Sequence, residues 1–155
     1  MIQIKEHPQL IVNPFVIYIG IAALAALLQL LVPMPFIGFL PARVTGVVIM
    51  LASFLLGLPA LRKMFGAGTS PNPNQPATAL ILSGPYRLTR NPMYIGLTLM
   101  YAGLVTFLQL PWGLLLTPVV IWLITVWVIR PEEQYLERKF GREYLDYKRT
   151  VRRWI

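Results

Sequence analysis

Four apolar stretches of this chain carry no charge. Phe15 to Val32, Val44 to Leu61, Met93 to Leu110 and Trp112 to Ile129 contain no Asp, Glu, Lys, Arg or His, and each runs for 18 residues. That length is at the lower end of what spans a hydrocarbon core about 30 Å thick as a helix. The pattern predicts an all-α integral membrane protein, one membrane-embedded domain over 1–155, with about four transmembrane helices at 15–32, 44–61, 93–110 and 112–129. Pro33 and Pro35 stop the first span, since proline removes a backbone donor. The short connection that follows predicts an antiparallel pairing of spans one and two. Only Pro111 separates spans three and four, which predicts a tight helical hairpin with Gln109 and Trp112 near its turn and a kink at Pro118. Gly46 and Gly57 in the second span mark places where helix backbones approach closely.

The polar segments are as informative as the apolar ones. Gly66 to Gln75 is turn-rich and reads as a loop, and the apolar patch Ala77 to Ser83 reads as a surface loop or a pocket wall. Tyr94 and Trp127 fall near span ends, where aromatic side chains anchor at the interface. Beyond Ile129 the chain becomes densely charged. Pro131 suits a first helical turn, and Glu132 and Glu133 complement its positive end. Leu136, Phe140 and Tyr144 recur at helical spacing, so 131–150 is expected to form short amphipathic cytosolic helices, divided at Gly141.

Composition supports the membrane assignment: 56% of residues are hydrophobic and 13% charged, against about 25% charged in soluble domains. A net charge of +8 and a pI near 10.2 would suit a nucleic-acid partner, but the placement of the charges argues otherwise. Of 14 Lys and Arg residues, Arg43 alone lies between spans one and two. The positive-inside rule then places both termini in the cytoplasm of a multi-pass protein, in the inner membrane if the cell is bacterial. Membrane lipids, not nucleic acid, are the expected surroundings. The segment before the first window, with Lys5, Glu6 and His7, is barely basic, and no small-residue cleavage site follows it, so a retained span is expected in place of a signal peptide. The absence of cysteine and the single histidine, His7, exclude thiolate or histidine metal clusters and leave a Ser-His-Asp triad unsupported.

Two polar clusters bracket the hairpin. Tyr86, Arg87, Arg90, Asn91 and Tyr94 precede it, and Arg130, Glu132 and Glu133 follow it. A hairpin with arms of equal length returns its far end to its near end, so Arg90 and Asn91 should neighbour Arg130 and Glu133. Arg87, Glu132 and Glu137 fit equally well as membrane-boundary anchors and helix-end charges. Arg90, Asn91 and Glu133 fit a site better, because polar groups facing one another at the membrane boundary mark function.

Arg90-Asn91-Pro92-x-Tyr94-x-Gly96, then Glu132-Glu133-x-x-Leu136, then Phe140-Gly141-x-Glu143-Tyr144-x-x-Tyr147 resembles the isoprenylcysteine carboxyl methyltransferase family and the related phospholipid N-methyltransferases. The resemblance implies methyl transfer from S-adenosylmethionine to a lipophilic carboxylate, amine or thiol that enters from the bilayer. It also implies a cofactor pocket lined by Tyr86, Arg90, Asn91, Pro92 and Tyr94. In that pocket Glu133 or Glu132 meets the cofactor's ammonium, and Tyr144 and Tyr147 close the C-terminal side. The residue types suit this: an arginine pairs bidentately with a carboxylate, and an ionised glutamate accepts from an ammonium. Arg130 is a candidate for orienting an anionic acceptor. Asn91 stands where the family commonly has histidine; it donates a hydrogen bond but cannot titrate. Two alternatives remain at this stage: a sterol-type membrane reductase with a nicotinamide cofactor and a similar Arg-x-Pro-x-Tyr motif, and a non-catalytic adaptor lacking a small-molecule pocket.

Overall fold

The computed structural model describes Pro8, residues 11–72 and residues 75–155. His7 and most of the N-terminal lead-in lie outside the described residues. Those described are all-α: α1 (Pro14–Leu31), α2 (Phe39–Gly66), α3 (Pro92–Phe107), α4 (Pro111–Leu115), α5 (Thr117–Ile124), α6 (Arg130–Phe140) and α7 (Arg142–Thr150). A 3₁₀ turn at Gly84–Arg87 precedes α3, and a π-helical turn at Thr125–Ile129 joins α5 to α6 without a break in the helix.

Two helices, α1 and α2, are long and apolar enough to cross a membrane, where the sequence pattern predicts four. Both are apolar all round yet stand on the outside of the fold: Leu30, Leu40 and Leu55 are 70–80% exposed. A helix apolar on every face needs an apolar solvent. The third window yields only 16 helical residues, about 24 Å at 1.5 Å per residue. Its last residues are spent on the hairpin, where Gln109 takes a positive φ of 57°. The fourth window is broken at Leu116, two residues before Pro118, whose missing N–H and ring interrupt the helical ladder.

α2 and α3 make the most extensive helix pair. A Cβ at Gly46 would lie 2.6 Å from Phe107 N and 2.7 Å from Gly103 O, and one at Gly103 would lie 2.8 Å from Gly46 O. Small residues thus let the two backbones touch, as expected for Gly46. Gly57 makes the second close approach, 3.2 Å from a Cβ built at Gly96. α1 leans on α3, α4 and α5, not on α2 as the short connection predicts. Tyr18 of α1 shares a 2.9 Å hydrogen bond with Thr98 of α3, and Tyr101 donates to Gly113 O of α4 at 2.9 Å. Val105, Val120, Ile124, Val128 and Ile129 form the fully buried core between these helices. Because α1 stands away from α2, a gap remains over the N-terminal half of α3.

The turn-bearing ends follow the hairpin logic. Gln109 Nε2 donates to Ile37 O and Trp112 Nε1 to Val32 O at one end. The start of α1, the end of α2, the start of α3 and the start of α6 meet at the other. Gly141, with φ of 53°, ends α6 and starts α7. Only glycine adopts that backbone readily.

Candidate functional site

The gap is a cavity of about 590 Å³, within the range of small-molecule sites. Asn13, Pro14 and Phe15 of the α1 start, Ser53, Phe54 and Gly57 of α2, and Pro71 and Asn72 of the loop form three of its walls. The fourth carries Tyr86, Arg90, Asn91, Pro92 and Tyr94, with Glu132 from α6. Pro71 and Asn72 thus bring the 66–75 loop to the cavity as a wall, while 77–83 do not line it. The loop is held by the Thr69 and Thr78 hydroxyls at 2.6 Å and by Ala77 N donating to Tyr135 Oη at 3.1 Å. Arg90 and Glu132 are the charged residues among those lining the cavity.

Glu133 lies behind that wall, 5% exposed. Arg153 donates to it twice, Nε to Oε1 at 3.0 Å and Nη2 to Oε2 at 2.7 Å. Arg90 Nη2 approaches the same Oε1 at 3.2 Å. The pairing holds the Arg153 guanidinium above its ordinary pKa. Arg90 is buried as deeply as its partner, and its Nε and Nη1 have no hydrogen-bond partner among the described residues. Unsatisfied buried donors on a charged group are costly.

Glu132 accepts from Tyr94 Oη at 2.8 Å. Burial pushes its carboxyl up to about 7; the Tyr94 hydrogen bond opposes the shift and the neighbouring Glu133 charge adds to it. Tyr147 donates to Tyr86 O at 2.6 Å, and its ring meets that of Tyr144 edge-on with centroids 6.1 Å apart. Burial raises the phenols of Tyr86 and Tyr144, and that of Tyr147 to about 12. All three remain neutral near pH 7, so they hydrogen-bond without acting as bases.

The residues expected to meet do so in part. Arg90, Asn91 and Glu133 are brought together, while Arg130 is exposed and outside the cavity. Tyr86, Arg90, Asn91, Pro92, Tyr94 and Glu132 line the cavity; Glu133, Tyr144 and Tyr147 support it from behind. Asn91 Nδ2 donates to Arg153 O at 2.9 Å, which fixes the segment before α3. Tyr94 is buried and turned inward, not anchored in the interface. Arg87 is exposed, and Glu137 pairs with Lys148 across α6 and α7. Sequence reasoning missed Arg153, buried Thr89, and the α1 and α2 residues of the cavity. No motif spacing ties them to the two clusters.

A phospholipid methyltransferase family model matches residues 41–143, from the start of α2 into α7. Over 72 residues the chain is 33% identical to protein-S-isoprenylcysteine O-methyltransferase B of Arabidopsis thaliana, covering 46% of this chain and 36% of that protein. Protein-S-isoprenylcysteine O-methyltransferase A of the same plant is 35% identical over 72 residues, with the same shares. An uncharacterized protein of Haemophilus influenzae is 44% identical over 64 residues, 36% of this chain and 100% of its own length. The chain thus spans little more than a third of the length of the two plant proteins.

Proposed function

The chain belongs to the phospholipid methyltransferase family, and from that premise we propose that it transfers a methyl group from S-adenosylmethionine to a lipophilic acceptor at a membrane surface. The observation that carries this reading is the pair of charged groups on one cavity wall. Arg90 has two buried nitrogens without partners among the described residues, and Glu132 offers a carboxyl to the same space. The donor molecule carries a carboxylate and an ammonium, the complement of those two side chains. When bound, it supplies an activated methyl on a sulfonium for in-line displacement.

The chain's own residues then bind, orient and exclude water. Arg90 takes the carboxylate and Glu132 the ammonium, with Tyr94 fixing the Glu132 rotamer. Asn91 serves as a structural donor to the C-terminal tail, a role histidine's titration would not improve. Phe15, Phe54, Leu58, Leu97 and Met100 give the cavity an apolar side suited to a hydrocarbon chain. Holding donor and acceptor in line in such a site supplies most of the rate enhancement. In this reading α1 and α2 cross the bilayer, and α3 with the broken α4–α6 run forms a shorter hairpin beside them. The cavity's polar end faces the cytoplasm, where the basic residues accumulate. The acceptor is a lipophilic carboxylate, amine or thiol.

Calorimetric binding of S-adenosylhomocysteine to detergent-purified protein tests the proposal. Saturable binding that is lost in Arg90→Ala, with the variant still folded, is the expected result. A folded wild type that binds none would refute it.

A further inference from the structure

We propose that Arg153, in the C-terminal tail, is a positioning residue: by occupying both oxygens of Glu133 it leaves Nε and Nη1 of Arg90 for an anionic group in the cavity. The inference rests on the cofactor reading above and names a residue that reading does not require.

Three observations converge on it. First, Glu133 is a buried carboxylate with two guanidinium partners, and the better geometry belongs to Arg153: two hydrogen bonds of 3.0 and 2.7 Å against one contact of 3.2 Å from Arg90. A bidentate pair of this kind is the strongest arrangement open to a carboxylate. Two guanidiniums against one carboxylate leave one positive charge over, and that charge is on the residue lining the cavity. Second, Arg90 lines the cavity, and its buried Nε and Nη1 have no hydrogen-bond partner among the described residues. Third, the tail is stitched in place by main-chain contacts. Arg90 N donates to Arg152 O at 2.9 Å, while Thr89 Oγ1 and Asn91 Nδ2 both donate to Arg153 O, at 3.0 and 2.9 Å. Trp154 Nε1 donates to Thr125 Oγ1 at 3.1 Å, tying the end of the chain to the π-helical turn before α6. The tail thus reads the position of the Thr89–Asn91 segment and delivers one side chain to the carboxylate behind it.

Without Arg153, a desolvated Glu133 has one cation left to claim. Arg90 would close on it and turn its donors from the cavity. A merely structural role predicts something different, namely that each further loss at the cluster weakens the site more.

The test is S-adenosylhomocysteine calorimetry on detergent-purified wild type, Arg153→Ala, Arg153→Lys and the double variant Arg153→Ala/Glu133→Gln, with thermal unfolding of each. Arg153→Ala should weaken binding by roughly tenfold, the loss of one charge-assisted contact to the ligand. Arg153→Lys, which still neutralises Glu133, should stay within about threefold of wild type. The double variant should recover most of the loss, because a neutral amide in place of the carboxylate no longer competes for Arg90. Should Arg153→Ala fail to fold, the double variant carries the comparison, since it leaves no buried carboxylate unpaired. Wild-type affinity in Arg153→Ala, or a folded double variant as weak as the single, would overturn the inference. A wild type that does not bind refutes the cofactor reading itself, before any variant is compared, and removes this inference with it.

Discussion

The phenol of Tyr94 donates to Oε2 of Glu132 at 2.8 Å, joining the first turn of α3 to the first turn of α6 across the mouth of the hairpin. The carboxyl it meets is pushed up to about 7 by burial, against an ordinary value near 4.5 in the unfolded chain. Between those two values the folded state holds a proton that the unfolded state has released. Stability is therefore greatest below pH 4.5 with respect to this group, and falls as pH rises toward and through 7. Glu132→Gln, which mimics the protonated form, should match wild type in thermal unfolding at pH 5 and exceed it at pH 8. Equal unfolding temperatures at both pH values would show that Glu132 is not desolvated.

The same carboxyl links ligand binding to pH. An ammonium group requires Glu132 ionised, so binding of S-adenosylhomocysteine should release a proton below pH 7 and strengthen as pH rises from 6 to 8. The gain approaches roughly tenfold per pH unit on the acid side of the titration and levels off above it. Calorimetry in buffers of different ionisation enthalpy reads the proton directly. Glu132→Gln should bind more weakly and lose the pH dependence; a retained dependence would assign it to another group.

The apolar windows were legible because charge is excluded from them, but helix ends are not set by charge. α2 runs on to Gly66, past Arg62 and Lys63, since long cationic stems reach water from a helix end. Conversely, the third and fourth windows lose helix to the Gln109 turn and the Leu116 break. Local punctuation there overrides hydropathy. The expected pairing of α1 with α2 failed for a tertiary reason: Tyr18 and its neighbours find their partners on α3, leaving the gap that becomes the cavity.

The crossing of α2 and α3 makes a sharp stability prediction. A methyl group at Gly46 or Gly103 meets backbone atoms at 2.6–2.8 Å, and backbone cannot swing away as a side chain can. Gly46→Ala and Gly103→Ala should each cost roughly 1–3 kcal/mol, as overpacking generally does. Gly20→Ala, where nothing lies within 4 Å, should be neutral or stabilising by no more than about 1 kcal/mol. Thermal unfolding in one detergent compares the three. If Gly20→Ala were as damaging as the others, close packing would not be the cause.

For the site, the two polar clusters were readable because a hairpin must bring its ends together. Arg90 and Glu133 do meet. Arg153 was not readable: it belongs to a basic tail whose residues look alike, and only the fold selects which one reaches the buried carboxylate. The division of labour between Glu132 and Glu133 was equally hidden. One helical step of about 100° sends the first to the cavity and the second behind the wall.

Polar and apolar ends of the cavity should be separable by mutation. Met100 lines the cavity eight residues along α3 from Pro92, about 12 Å at the helical rise. It therefore stands away from Arg90, toward the span interior. Met100→Trp should fill that end while leaving the polar wall intact. Methyl transfer to a farnesylated thiol-acid, a long-chain amine or a long-chain thiol, whichever the wild type accepts, should fall by roughly tenfold or more. S-adenosylhomocysteine affinity should change by less than about twofold, the signature of lost acceptor binding without lost cofactor binding. Equal losses in both measurements would mean that the cofactor extends into the apolar end, and the acceptor would then have to approach from another side.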